Sequence, residues 1–153
     1  MKKPKKGKFR YNLASVLKVR TVREKKEREK FAETQKILEQ EKKKEEELKA
    51  SHLQAQLDLR SNFESDQAIN FTRVFLQQNH IENLKEEVTT QEEVREKADK
   101  KNETQREKLV ESMKDKKIIE KDHENKKKLW QNLMNKEEMK FIDEIASTHF
   151  NRH

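Results

Sequence analysis

The only proline and the only glycine of this 153-residue chain both fall within its first eight residues, at Pro4 and Gly7. From Lys8 onward no residue breaks a helix or supplies the positive φ that tight turns need. A chain without Gly or Pro beyond its first eight residues cannot build a sheet of short strands, a phosphate-cradling loop or a dinucleotide fold. Long helices are what remains. Composition agrees, with 44% of residues charged and 30% hydrophobic, the balance of a coiled coil rather than of a packed globule. The absence of cysteine removes disulfides, thiol nucleophiles and the common zinc spacings. No apolar run reaches the ~18 residues of a membrane span, and there is no signal-peptide core. A soluble protein follows as the expectation.

The opening MKKPKKGK reads as a disordered basic tail over residues 1–8. Asn12 is placed to cap a first helix, predicted over 9–62. Its apolar stripe runs Leu13, Val16, Leu17, Val22, Phe31, Leu38, Leu48, Leu53 and Leu57, at intervals of three, four and their sums. The stretch Glu39–Glu47 holds no apolar residue, so the seam there must be weak or polar. Ser61-Asn62-Phe63-Glu64-Ser65-Asp66 is the densest cluster of turn-forming side chains in mid-chain. It predicts a hairpin tip over 63–66, with Ser65 or Asp66 capping a second helix over 67–148 and a frayed end over 149–153.

The second stripe includes Phe71, Val74, Phe75, Ile81, Leu84, Val88 and Val94, then resumes at Leu109, Met113, Ile118 and Ile119. A helix of ~80 residues is ~120 Å long and needs a partner along most of that length. An antiparallel hairpin supplies one. With the reversal near residue 65, paired positions should sum to about 130. Leu48 then meets Leu84, Leu38 meets Val94, Leu53 and Leu57 meet Val74 and Leu76, and Leu13 and Leu17 meet Ile118 and Ile119. Residues after ~125 are left without a partner, so Trp130, Leu133, Met134, Phe141 and Ile145 form a stripe on an overhang that could join two copies. Charge is polar along this hairpin. Residues 1–30 carry net +10 and residues 100–153 net +3, against −6 over 31–99. The termini-bearing end is basic and the tip half acidic.

Catalysis has no foothold in such a chain, because nothing forms a concave, water-excluding site. Of five histidines, only His149 and His153 share the i, i+4 spacing of a metal pair. They sit at a fraying terminus, and no metal or cofactor is expected. The basic tail invites nucleic acid, but acids nearly balance bases beyond residue 30 and no groove-reading motif is present. No nucleic-acid partner is expected. Phe71, Val74, Phe75 and Leu76 stand out, because successive positions lie ~100° apart and one seam cannot bury them all. They predict a partner surface beside the tip.

Two stretches carry a family resemblance. Lys8-Phe9-Arg10-Tyr11-Asn12-Leu13-Ala14-Ser15-Val16-Leu17-Lys18-Val19-Arg20 resembles the opening of FliJ-type flagellar export proteins. Glu138-Met139-Lys140-Phe141-Ile142-Asp143-Glu144-Ile145-Ala146 is similar to that family's closing pattern. Ile69-Asn70-Phe71 is similar to members just after their tip. The resemblance implies an all-α fold, two long helices in an antiparallel coiled-coil hairpin like the central stalk of rotary ATPases. It implies a non-enzymatic role in flagellar type III export, with three partners: the hexameric export ATPase, the cytoplasmic region of the export-gate membrane protein, and substrate chaperones. On that reading Phe71, Val74, Phe75 and Leu76 meet the gate. Phe9, Arg10, Tyr11, Leu13, Leu17, Arg20, Trp130, Leu133, Phe141, Asp143, Glu144 and Ile145 serve the ATPase and chaperone end. The expected location is cytoplasmic, recruited peripherally to the inner membrane at the flagellar base without insertion. The competing expectation is a structural or nucleic-acid-associated coiled coil acting through its basic tail.

Overall fold

The computed structural model of the chain describes residues 7–150. Most of the expected basic tail and residues 151–153 of the expected frayed end lie outside the described residues. Two α-helices account for nearly everything described, α1 over Ala14–Glu64 and α2 over Phe71–Phe150, packed against each other as an all-α hairpin. No described helix is long and apolar enough to cross a membrane. The helices are shared by two compact units: one comprises Glu27–Leu109 and holds the turn, and the other comprises the segments up to Lys26 and from Val110 on.

The buried positions of α1 follow a strict alternation of three and four. Leu17, Arg20, Glu24, Glu27, Phe31, Thr34, Leu38, Glu41, Glu45, Leu48, His52, Ala55, Leu59 and Asn62 are buried or half-buried. On α2 the same rhythm runs through Val74, Gln77, Ile81, Leu84, Val88, Gln91, Arg95, Ala98, Asn102 and Gln105. This is a heptad seam, but only about half of it is apolar. Among the described residues the buried apolar ones are Leu38, Ile81, Leu84, Ala98 and Ile119.

Polar clasps fill the remaining levels. In the turn-bearing unit, Gln91 Nε2 donates to Glu41 Oε2 at 2.6 Å and to the Glu41 carbonyl at 3.1 Å. Gln105 Nε2 makes the same pair of bonds to Glu27. Thr34 Oγ1 donates to Asn102 Oδ1 at 3.0 Å, and Arg95 Nε donates to Glu45 at 2.8 Å. In the other unit, Lys116 Nζ reaches Glu24 at 3.1 Å, and Arg20 donates to the Asp115 carbonyl at 2.7 Å. Each clasp satisfies a side chain that burial alone would penalise.

The clasps fix a register that differs from the apolar-only expectation. In the turn-bearing unit the paired positions sum to between 132, for Glu41–Gln91, and 141, for Lys49–Glu92, rather than 130. The cause is the turn. Helix α1 continues to Glu64 and α2 starts only at Phe71, so the turn is 65–70 and not 63–66. Neither Ser65 nor Asp66 is the cap. Asn70 is: its Oδ1 accepts from the Arg73 amide at 3.2 Å, and its carbonyl accepts from Val74, as an N-cap does. The shift corrects several pairings. Leu53 and Leu57 are 57% and 50% exposed and lie off the seam, and Val94 and Ile118 are likewise exposed. Leu38 stands level with buried Ala98, one turn from the Thr34–Asn102 bond.

The seam carboxylates are held below the ordinary glutamate value of 4.5, Glu27 chiefly by Gln105, Glu41 chiefly by Gln91, and Glu45 by Lys49 and then Arg95. A lowered folded-state value gives stability that is fully present above about pH 4.5 and is lost as pH falls from there through the lowered value. Thermal melts followed by circular dichroism are therefore expected to hold a constant midpoint from neutral pH to about pH 5 and to fall below it. The combined E27Q, E41Q and E45Q variant should show a flatter acid limb. A profile as steep as that of the unaltered chain would place the acid sensitivity elsewhere.

Candidate functional site: two partner-binding surfaces

Helix α1 begins at Ala14 and not at residue 9, and the Asn12 side chain turns to α2 instead of capping it. The Leu13 carbonyl accepts the amide of Leu17, while Asn12 Oδ1 accepts from Lys126 Nζ at 3.4 Å. Residues 7–13 are non-helical. The segment keeps the register of the helices behind it, where Arg20–Asp115 and Glu24–Lys116 sum to 135 and 140, which sets residue 9 level with about 126–131 of α2. Phe9 consequently packs against His123 at 5.5 Å and Trp130 at 5.9 Å between ring centroids. Trp130 was expected on the unpartnered overhang and instead has Phe9 as a partner. The stretch lacking a partner from α1 begins beyond it.

Tyr11 is the centre of this aromatic clamp. Its ring meets His123 edge-on at 4.7 Å, and Lys126 Nζ sits 5.5 Å from its centroid. Its hydroxyl donates to Asp122 Oδ2 at 2.6 Å, with the Ile119 carbonyl 3.3 Å away. Desolvation, and then the bond to Asp122, push the phenol up to about 12. The same bond, followed by that of Lys126, holds Asp122 low. Tyr11 is the only tyrosine, so its ionisation can be read directly by ultraviolet absorbance. The titration is expected near pH 12 rather than 10. Because the folded-state value is raised, the stabilisation is complete below pH 10 and is lost as pH rises toward 12. Y11F should lower the melting midpoint at pH 7, and D122N should return the phenol toward 10. A phenol titrating near 10 in the unaltered chain would mean the clamp is open in solution.

The other residues expected at this end divide by exposure. Leu13 and Leu17 are half-buried and Arg10 is exposed. Arg20 spends its guanidinium on the Asp115 carbonyl. Leu133 and Ile145 are 59% and 41% exposed; Asp143 and Glu144 are exposed and Phe141 is half-buried. Sequence reading passed over Asp122, His123 and Lys126. His123 and Lys126 carry a rhythmic signal, since 119, 123, 126 and 130 continue the three-four seam, and Asp122, beside it, carries none.

The turn-bearing unit carries the second surface. Phe71, Phe75 and Leu76 are 80%, 64% and 62% exposed, while Val74 is half-buried in the seam. Phe63 and Ile69 are exposed beside them. Asn62 Nδ2 donates to Gln77 Oε1 across the seam, holding the helices together one turn from the exposed rings. An open groove of about 520 Å³ lies over Ala50, Ser51 and Ala55 of α1 and Gln77 and His80 of α2. A second, of about 460 Å³, runs past Leu59, Phe63 and Ile81. Neither encloses a reaction centre. Among the described residues no group of three or more His, Cys, Asp or Glu could hold a metal.

No match is found among curated proteins or among solved structures. The family described as Flagellar FliJ protein matches residues 9–153, a span that takes in the aromatic clamp, the whole hairpin and the exposed rings beside the turn. On that match, made over nearly its whole length, the chain belongs to the flagellar FliJ protein family.

Proposed function

We propose that the chain is a non-enzymatic stalk and adaptor that links the hexameric export ATPase to the cytoplasmic region of the export gate and to substrate chaperones. Family membership makes it a flagellar export component and a protein-transport protein; the division of labour between its two units is the finer reading. One observation carries it. Large aromatic side chains stand exposed at the turn in one unit, Phe71 at 80%, while both ends of the sequence belong to the other. Exposed rigid aromatics are suited to anchoring a partner, because little side-chain entropy is lost on docking.

In this reading the termini-bearing unit meets the ATPase through Phe9, Arg10, Tyr11, Leu13, Leu17 and the α2 residues Trp130, Leu133, Phe141 and Ile145. Asp143 and Glu144 orient the approach. The basic excess steers association toward an acidic ring opening and makes the rate salt-sensitive. Recruitment to the inner membrane at the flagellar base would then be peripheral, through these partners. The test is light scattering or pull-down of the full chain with its cognate ATPase. Complex formation is expected, and L133A with I145A should weaken it by roughly tenfold or more. A chain that neither binds the ATPase nor alters its assembly would sink the stalk reading. A homodimer seen by light scattering alone would assign the α2 overhang to a second copy. Deleting residues 1–8 should leave ATPase binding nearly intact, since Phe9–Arg20 remains.

A further inference from the structure

The back of α2 in the termini-bearing unit carries a charge pattern that the stalk reading does not use. At 3.6 residues per turn, Lys114, Lys117, Lys121 and Lys128 fall within an arc of about 60°. All four are exposed, and none takes part in an ion pair among the described residues. They span about 21 Å along the helix. The arc lies opposite the seam positions Ile119, His123, Lys126 and Trp130, so the clamp with the N-terminal segment does not cover it. Glu111, Glu120 and Glu124 are the acids nearest to it; Glu124 lies at its margin and Glu111 and Glu120 about 60° to either side.

Further along the same face the lysines give way to large apolar residues. Met139 is 66% exposed, Ile142 57% and Phe150 84%. A polar-seamed helix gains nothing from apolar groups on its outer face. A stripe of unpaired lysines running in line into exposed methionine, isoleucine and phenylalanine is the make-up of a helix that lies on an anionic bilayer. Lysine stems lie along the surface with their ammonium groups at the phosphates, while apolar residues enter the headgroup boundary. Nucleic acid would match the lysines and leave Met139, Ile142 and Phe150 without a partner.

We infer that the outer face of α2 over Lys114–Phe150 is a docking surface for a bilayer containing anionic phospholipid. The inference is independent of the ATPase reading. Of the residues assigned there to the ATPase, Trp130, Phe141 and Ile145 continue the seam side of the helix, while Asp143 borders the lipid-facing stripe, so the two surfaces adjoin at Asp143. Each lysine near an anionic surface contributes roughly a fivefold gain in affinity, and the sum is strongly salt-dependent.

The experiment is co-sedimentation of the full chain with vesicles of phosphatidylcholine, alone or with part of it replaced by phosphatidylglycerol. Binding to the anionic vesicles only, falling as salt is added, is the expected result. The combined variant K114Q, K117Q, K121Q and K128Q should lose at least about a hundredfold in affinity for the anionic vesicles, with unchanged circular dichroism. A control variant, K36Q, K42Q, K43Q and K101Q, removes the same charge elsewhere and should lose far less. M139S with I142S should weaken binding severalfold and leave the remainder more salt-sensitive. Equal binding to both kinds of vesicle overturns the inference. So does equal loss in the two four-lysine variants, which would reduce the effect to net charge. Displacement from vesicles by duplex DNA, together with no effect of M139S and I142S, would make the lysines a polyanion site and not a membrane surface.

Discussion

Leu38→Ala is expected to destabilise the turn-bearing unit by about 2–5 kcal/mol, the usual cost of deleting a buried leucine side chain. That is a large share of the 5–15 kcal/mol that holds typical domains together. The effect should be disproportionate because the apolar core is so small: among the described residues of this unit the buried apolar ones are Leu38, Ile81, Leu84 and Ala98. Polar clasps occupy neighbouring levels, with Thr34–Asn102 on one side of Leu38 and Glu41–Gln91 on the other, and a hydrogen bond exchanged with water contributes only about 1 kcal/mol net. Urea unfolding followed at 222 nm is the measurement. L53A and L57A are the controls, since both leucines are at least half exposed, and each should shift stability by no more than about 0.5 kcal/mol beyond helix propensity. Equal losses at positions 38, 53 and 57 would mean that the seam lies on a different face.

Phe71→Ala combined with Phe75→Ala should separate folding from function. Both rings are largely exposed, so their removal opens no cavity. The Asn70 cap and the Asn62–Gln77 bond remain to hold the turn. Helicity and melting midpoint should stay within error, and ATPase binding should persist. Binding to the cytoplasmic region of the export gate should fall by about a hundredfold or more, as two aromatic anchors of ~2 kcal/mol each imply, and motility should fall with it. Collapse of ellipticity would show that the rings are structural after all. Normal motility with intact fold would remove the turn from the list of gate contacts.

The fold class was legible because the whole chain after Gly7 lacks helix breakers, and no competing signal exists. The register was not, for a physical reason. A reading that follows apolar residues sees Leu53 and Leu57 and overlooks Glu27, Glu41, Gln91 and Gln105. Yet the glutamates and glutamines occupy the seam, and the two leucines face away from it. The information lies in the three-four spacing irrespective of polarity, and in glutamine opposite glutamate. The turn was misplaced because serine and aspartate at 65 and 66 are as good at capping as asparagine at 70; only the geometry of the chain entering α2 chooses among them. At the termini-bearing end the aromatic character of Phe9, Tyr11 and Trp130 was visible. Their meeting was not, because a register of 130 sets residue 9 level with 121, whereas the polar contacts Arg20–Asp115 and Glu24–Lys116 set it further along α2. The exposed rings beside the turn were legible for the opposite reason, since consecutive helical positions cannot share a seam.

The clasps Glu27–Gln105 and Glu41–Gln91 recur with the same bonds at an offset of fourteen residues on each helix, two whole heptads. An oily seam resists sliding only through the fit of its knobs and holes, and here that fit rests on few residues. A directional bond from one glutamine to both the carboxylate and the carbonyl of a single glutamate does not glide: a displacement of an ångström or two breaks it. The two helices of this unit are thus keyed together in the manner of a splined shaft. Pulled or twisted along its length, such a hairpin moves as one piece and yields by shearing at its keys, so its stiffness against sliding should far exceed what its few buried leucines and isoleucines would provide.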